Sequence, residues 1–241
     1  MQLFGRDTGA TWLPCASHCI QLAINKAWKD GKAEELLNKC NDIAKIFKSK
    51  GAVSGYLQHL QKSQQRQLTT KLKNDTRWNS RYEMLKRILL LSEYINKTVR
   101  NFTLHPSQLP SHIKLQQIKE CALTPEEIDT LRELEGLMKL SAEFINNIGS
   151  SKIPTASLIY TSVRNVLPPL EDFNSTIARD VHQALDQNIK KIWDLTIDTP
   201  GANAILISMY LNPAILQHEI WDEPNGDLTN RTKAESLITT K

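Results

Sequence analysis

The stretch NDTRWNSRYEMLKRILLL, residues 74–91, constrains the fold of this chain more than any other stretch does. Its apolar side chains recur at helical spacing, with Tyr82, Leu85 and Leu89 on one face and further aliphatic residues beside them. This period predicts an amphipathic helix that buries one face. The polar residues 74–76 precede the helix and can cap it through a side-chain oxygen. The rest of the chain must therefore supply the apolar surface that covers this helix.

The dipeptide Arg77-Trp78 stands at the entrance of the predicted helix. One interpretation is structural: the Trp78 ring packs against neighbouring helices, while the Arg77 stem lies along the surface with its guanidinium in water. The other interpretation is a binding role, because aromatic rings and guanidinium planes stack on unpaired nucleotide bases. The two residues by themselves leave both interpretations open.

The basic residues of the chain are unevenly distributed. Residues 45–100 contain thirteen Lys or Arg and three Asp or Glu, so this segment carries +10 while the whole chain carries only +4. Such segregation is typical of polyanion binding. A solvated basic helix face is the alternative, since it has the same composition without any nucleic acid.

Composition agrees with a mainly α chain. Aromatic residues make up 6% of the sequence and there are only nine Gly, which speaks against a β-sandwich or barrel. No apolar run approaches the ~18 residues of a membrane span, and the first residues lack the regions of a signal peptide. The four cysteines form no disulfide-rich framework. We therefore expect a soluble intracellular protein with no membrane partner.

Apolar spacing and helix-ending residues predict the helices along the chain. The predicted helical segments are 14–30, 33–50, 52–68, 77–102, 113–118, 125–148, 155–170 and 174–194. The start at residue 125 is the sharpest boundary, because Thr124-Pro125-Glu126-Glu127 has the sequence of a capping box with Pro in the first turn. Pro200-Gly201 breaks the chain before an apolar run, and the sequence after Gln217 is polar.

The segment Cys15-x-x-His18-Cys19 contains two residues with the spacing of zinc ligands. A structural zinc site needs four ligands in closed spacing, and the further candidates Cys40 and His59 each stand alone. The residues themselves therefore favour packed core groups or a lone base over a metal site.

Two blocks of the sequence resemble the hAT transposase superfamily, which includes BED-zinc-finger proteins derived from such elements. The block DTRWNS with the following Met-Leu resembles the family's Thr-Arg-Trp-Asn-Ser block, and its motif residues are Asp75, Arg77 and Trp78. LPCASHCIQLAINKA resembles the family's (C/D)-x-x-H block, with Cys15 and His18 as the motif residues. Both blocks stand in the family's order along the chain.

Two later segments resemble the same family. INNIGSSKIPTASLIYTSVRNVLPPL is similar to the segment before the family's late helices, and MYLNPAIL is similar to its Leu-Asp-Pro-Arg block. The second departs from the family, because Asn212 replaces the Asp and Ala214 replaces the Arg. Together the four segments cover roughly residues 12–216.

The resemblance implies a DNA-facing site. In the family, the Trp that corresponds to Trp78 helps to hold a base flipped out of the duplex, and the His that corresponds to His18 acts near the scissile phosphate. With the charge distribution, this gives a set of expected nucleic-acid-binding residues: His18, Lys71, Lys73, Arg77, Trp78, Arg81 and Arg87.

The catalytic carboxylates of the family are not found in this chain. Transposases of this family cut and join DNA with three carboxylates and divalent metal. Two of these Asp residues lie on strands before the C-x-x-H block, but only fourteen residues precede Cys15, and Asp7, the one acid among them, reads as a surface turn. We expect no catalytic residue, metal site or cofactor here; divalent metal would enter only with a complete catalytic domain. The chain is thus expected not to be an enzyme, unless the natural protein is longer.

The predicted fold is mainly α, a helical insertion domain attached to an incomplete ribonuclease-H-like domain. The predicted domains are a ribonuclease-H-like remnant at 1–30, a helical insertion at 31–217 and a polar, partly disordered tail at 218–241. The resemblance implies a nuclear, domesticated DNA-binding or transcription-regulating fragment, with DNA as its partner and homo-oligomers formed through regions outside this chain. The alternatives are a helical protein–protein interaction scaffold and a truncated form of an active DNA transposase.

Overall fold

The structure is a computed structural model that describes nine parts of the chain. The described residues are 15–48, 51–63, 67–72, 78–148, 156–157, 167, 169–192, 200–212 and 227–239. All regular secondary structure in these parts is helical, which confirms the prediction of a mainly α fold. None of the described helices combines the length and hydropathy that a membrane span requires.

Nine α-helices and two short 3-10 helices have bounds within the described parts. They are α1 (Ala16–Asp30), α2 (Glu34–Lys48), α3 (Ala52–Leu60), α4 (Trp78–Leu104), α5 (Leu115–Glu120), α6 (Pro125–Ile148), α7 (Thr176–Ile192), α8 (Pro200–Tyr210) and α9 (Asp227–Thr239), with 3-10 turns at Pro106–Gln108 and Leu170–Asp172. The predicted helix at 155–170 falls almost wholly outside the described residues.

The chain divides into two compact units. Unit 1 contains residues 1–26, 143–169 and 184–241, and unit 2 contains residues 27–142 and 170–183. The predicted domains at 1–30, 31–217 and 218–241 stay a prediction.

Helix α4 is the central element of unit 2, where it contacts α2, α3, α5 and the first 3-10 helix. Its buried face repeats every three or four residues, as an amphipathic helix requires. The fully or nearly fully buried residues of this face are Met84, Leu85, Ile88, Leu91, Ile95, Val99 and Phe102. The prediction that Leu89 belongs to the buried face was therefore wrong by one residue. Leu89 is only half-buried, because the face that meets the other helices is centred on Ile88.

Helix α3 is shorter than predicted, and a buried glutamine explains why. The helix was predicted to run to residue 68 but ends at Leu60. The Gln61 side chain, 1% exposed, donates its amide to Leu57 O and Leu68 O at 3.1 Å each. Its Oε1 accepts the Leu68 N–H at 2.8 Å. These bonds draw residue 68 back to the end of α3, so the chain turns instead of continuing the helix.

The predicted capping box at the start of α6 is confirmed. The Thr124 N–H donates to Glu127 Oε2 at 2.9 Å, and the Glu127 N–H donates to Thr124 Oγ1 at 3.2 Å. Two free N–H groups of the first turn are thereby satisfied. Lys39 of α2 also donates to both carboxylate oxygens of Glu127 at 2.7 Å, so the same carboxylate joins α2 to α6.

In unit 1, helices α8 and α9 pack together. Pro200, predicted as a chain break, is the first residue of α8, a position where its fixed φ suits the helix. Ala234 of α9 is fully buried, and the Tyr210 hydroxyl donates to Glu235 Oε1 at 3.3 Å. Asn212, which replaces the family's Asp, donates its amide to Ser157 Oγ at 2.9 Å. The region predicted as a polar tail thus includes a packed helix.

Candidate functional site

The predicted binding residues differ in how much of each the structure describes. Lys71, Arg81 and Arg87 are described with their side chains, and all three belong to unit 2. Trp78 is described only as the first residue of α4, and Lys73, Asp75 and Arg77 lie outside the described residues. Cys15 and His18 belong to unit 1.

The chain before α4 is held by side-chain hydrogen bonds, and residues 67–72 are called here the tethered segment. Thr70, 2% exposed, donates its hydroxyl to Ala44 O of α2 at 3.0 Å. Arg87 of α4 donates Nη1 to Thr69 O at 3.0 Å. With the bonds of Gln61 to Leu68, the segment is fixed to α2, to the end of α3 and to α4. A buried hydroxyl and a buried amide are satisfied in this way, and the tethered segment is held by contacts with three helices.

The tether places Lys71 beside the first turns of α4. Lys71 Nζ donates to Glu83 Oε2 at 2.7 Å, and the two side chains are 47% and 40% exposed. The hydrogen bond from Lys71 lowers the pKa of Glu83, burial opposes this effect, and the charges of Lys71, Lys86 and Arg87 lower the pKa further. Because the pair is exposed, it contributes at most about 1 kcal/mol and can exchange partners.

Three cations of the described residues, Lys71, Lys86 and Arg87, lie close enough to Glu83 to lower its pKa, and together with Arg81 in the first turn of α4 they are called here the basic patch. The patch consists of Lys71, Arg81, Lys86 and Arg87. The four cations and Glu83 together carry a net charge of +3. Lys86 is exposed and lies over the Tyr82 ring, with its Nζ 5.8 Å from the ring centroid. The arrangement can hold an anion larger than a carboxylate, since the cations outnumber their local partner.

The C-x-x-H block forms an exposed helix face. Cys15 accepts the Cys19 N–H through its carbonyl oxygen at 3.0 Å, so it stands immediately before α1. Cys15 and His18 are both exposed, which makes the expectation of packed core groups wrong for these two. The buried member is Cys19, and burial, followed by Cys15, raises the pKa of its thiol. Leu22, one turn beyond His18, is 53% exposed.

In the described parts of the chain, no three His, Cys, Asp or Glu side chains converge in a way that could hold a metal ion.

Sequence reasoning missed the residues that build the site. Gln61 and Thr70 stand in a polar stretch that reads as a linker, and neither belongs to a periodic pattern. Glu83 and Lys86 read as ordinary surface residues of α4. The available signal was weak: a polar residue directly after a helix can fold back on it, but the sequence does not say which residue it will bind.

Two comparisons with known proteins found similarity to this chain. Residues 13–122 match the family model of the ZBED1 RNase-like helical domain, a range that includes α1 to α5 and the tethered segment. The transposable element Hobo transposase of Drosophila melanogaster is 25% identical over 189 residues, which are 77% of this chain and 25% of the relative. No solved structure matches the chain.

Both matches point to one class of protein. The chain is similar to transposase-derived proteins of the hAT and ZBED type, and its two sequence blocks predicted this similarity. It spans about a quarter of the length of the Hobo transposase.

Proposed function

We propose that the chain binds DNA through the basic patch and the motif residues Arg77 and Trp78, and that it does not cut the DNA it binds. The observation that carries this proposal is the tethered segment. It is fixed on three sides, it brings Lys71 into the basic patch of net charge +3, and it precedes the motif residues Arg77 and Trp78 in the sequence. Lys71, Arg81 and Arg87 contact phosphates in this proposal, and Lys73 and His18 add contacts from beyond the patch.

Phosphate is the ligand class that the patch favours. A backbone phosphate offers the guanidinium and ammonium groups charge-assisted hydrogen bonds, and it displaces condensed counterions when it binds. The exposed pair Lys71–Glu83 orders the lysine before binding without holding it strongly. Binding therefore weakens steeply with salt, with a slope of about −0.9 in log K against log salt for each phosphate contacted.

The experiment is a fluorescence-anisotropy titration of the chain with duplex and hairpin DNA at two salt concentrations. Lys71→Gln and Arg81→Gln should each weaken binding about 3-fold at low salt and lower the salt slope by about 1. Lys119→Gln is the matched control, because Lys119 is an exposed lysine of α5 in the same unit. No binding at low salt, or variants equal to the control, would refute the proposal.

Trp78 is proposed to stack on an unpaired base. Replacement by Ala should cost about 1–3 kcal/mol on DNA with an unpaired base, since base–aromatic stacking has that magnitude. Trp78→Phe keeps a stacking ring and should retain most of the affinity. The same loss on a fully paired duplex as on the unpaired substrate would argue for a packing role of Trp78.

The absence of catalysis and of a cofactor is part of the proposal. Binding should persist in a chelator, and incubation with Mg²⁺ or Mn²⁺ should leave hairpin and duplex DNA intact. Cleavage by the purified chain would show that it is an active transposase. Location in the nucleus, and homo-oligomers formed through regions outside this chain, are proposed from the resemblance and are tested in cells with the full natural protein.

A protein–protein interaction scaffold is the second candidate, and one observation favours it. Leu90 and Leu104 of α4 are 56% and 66% exposed, fourteen residues apart on one face of the helix. Exposed aliphatic residues in register can anchor a partner helix. Anisotropy separates the candidates, because a scaffold of this kind leaves labelled DNA unbound at low salt.

A further inference from the structure

A groove lies beside the C-terminal half of α4, away from the residues assigned above. It has a volume of about 440 Å³, and helices α4 and α6 of unit 2 both line it. The lining residues that matter here are Glu93, Asn96, Lys97, Arg100, Ile128 and Arg132. Three of these side chains are cations and one is a carboxylate, so the groove is basic.

The helix register explains why these cations face one groove. Lys97 and Arg100 are three residues apart on α4, and Arg132 follows Ile128 by four on α6, so each set shares a helix face. Asn96 joins α4 to the chain just before α6: its amide donates to Leu123 O at 2.8 Å, and its Oδ1 accepts the Leu123 N–H at 2.9 Å. The groove walls are therefore held before any ligand binds.

The cations of the groove have only weak ion-pair partners among the described residues. Lys97 pairs with Glu93 and Arg132 with Asp129, but both pairs are local ones within a single helix, and every side chain in them is at least 55% exposed. In the described part of the chain, Arg100 is exposed and makes no ion pair. An anion that enters the groove can therefore bind Arg100 directly and recruit the other two cations from weak partners.

We propose that this groove is a second phosphate-binding site, which takes a phosphodiester of the DNA backbone. The proposal rests on the proposed function. Lys86 of the basic patch, Leu90, Glu93, Lys97 and Arg100 follow one another at spacings of four and three residues, so patch and groove share the exposed face of α4. Lys86 and Lys97 are eleven residues apart, or roughly 16 Å along the helix. Duplex DNA carries several phosphates over that length.

The test is anisotropy titration with a duplex of about 20 base pairs, long enough to reach both sites. The variant is the double substitution Arg100→Gln and Arg132→Gln. It should weaken binding about 10-fold and lower the salt slope by about 2, because it removes two phosphate contacts. The matched control is Arg179→Gln, since Arg179 is an exposed arginine of α7 in the same unit. Arg100→Lys retains the charge and should keep the wild-type slope.

The results of these titrations distinguish a failure of the proposed function from a failure of the second site alone. If the wild-type chain does not bind DNA at low salt, the proposed function fails and this inference fails with it. If Lys71→Gln weakens binding but the double variant equals Arg179→Gln, only the second site is wrong. Circular dichroism checks folding, and if the double variant is unfolded, Arg100→Gln alone is measured, with an expected loss of about 3-fold.

A competition experiment with inorganic phosphate tests whether the groove binds a free anion instead of the DNA backbone. At equal ionic strength, phosphate buffer should compete with DNA no better than chloride does. Selective competition by phosphate in the wild-type chain, lost in the double variant, would reassign the groove to a small free anion and overturn the backbone assignment.

Discussion

Replacement of Gln61 by Leu is the sharpest test of the tethered segment. Leucine has a similar size and can occupy the buried position, but it cannot make the three hydrogen bonds of the amide. The substitution therefore leaves Leu57 O and both backbone groups of Leu68 without these partners.

The expected loss follows from the number of bonds and their burial. A hydrogen bond contributes about 0.5–1.5 kcal/mol net, and a buried group left without a partner costs about 1–3 kcal/mol. Leu57 is buried at 1% exposed, whereas Leu68 is half-buried and its backbone can partly recover water. We therefore expect Gln61→Leu to lower the free energy of unfolding by about 3 kcal/mol, a large share of the stability of a typical domain.

Urea denaturation measures this loss as a lower midpoint with an unchanged m-value. Gln67→Leu is the matched control, because Gln67 is exposed in the same segment and the substitution is the same. DNA titration at a temperature where the Gln61→Leu variant is still folded tests whether the tethered segment positions Lys71 for binding. The DNA affinity of the variant should then fall toward that of Lys71→Gln. Equal stability of the two leucine variants would refute the tether, and a loss of stability without a loss of affinity would make it purely structural.

Three further predictions concern single groups. The pKa of Glu83 lies below its usual range in the folded chain, so its contribution to stability is present above the unfolded pKa and is lost as pH falls through the folded pKa; Lys71→Met should raise that pKa in a carbon-13 NMR titration, and an unchanged value would contradict the ion pair. Cys15 is exposed and should react at once with a thiol reagent at pH 8, whereas burial raises the pKa of Cys40 to about 12 and should protect it until the chain unfolds. Thr124→Ala should lower the free energy of unfolding in urea by about 1 kcal/mol. Thr124→Ser should leave it unchanged, because serine keeps the hydroxyl that caps α6.

The sequence by itself determined the helical class and several local features. The apolar period around Leu85 predicted that α4 would be a helix with one apolar face, and the capping box predicted the start of α6. Both signals are local, because helix periodicity and capping involve residues three or four positions apart. The motifs likewise predicted the similarity to hAT and ZBED proteins that the comparisons found, and the charge count drew attention to Lys71 and Arg87.

Only the tertiary structure decided how the site is built. Thr70 binds a carbonyl 26 residues away and Lys39 binds a carboxylate 88 residues away, and no local pattern encodes such partners. The end of α3 was missed for the same reason, since it depends on where the side chain of Gln61 finds its acceptors. The choice of Ile88 over Leu89 as the centre of the buried face also required the neighbouring helices, because a rotation by one residue leaves the apolar period unchanged. Local sequence determines which segments become helices, and long-range packing determines which side chains meet.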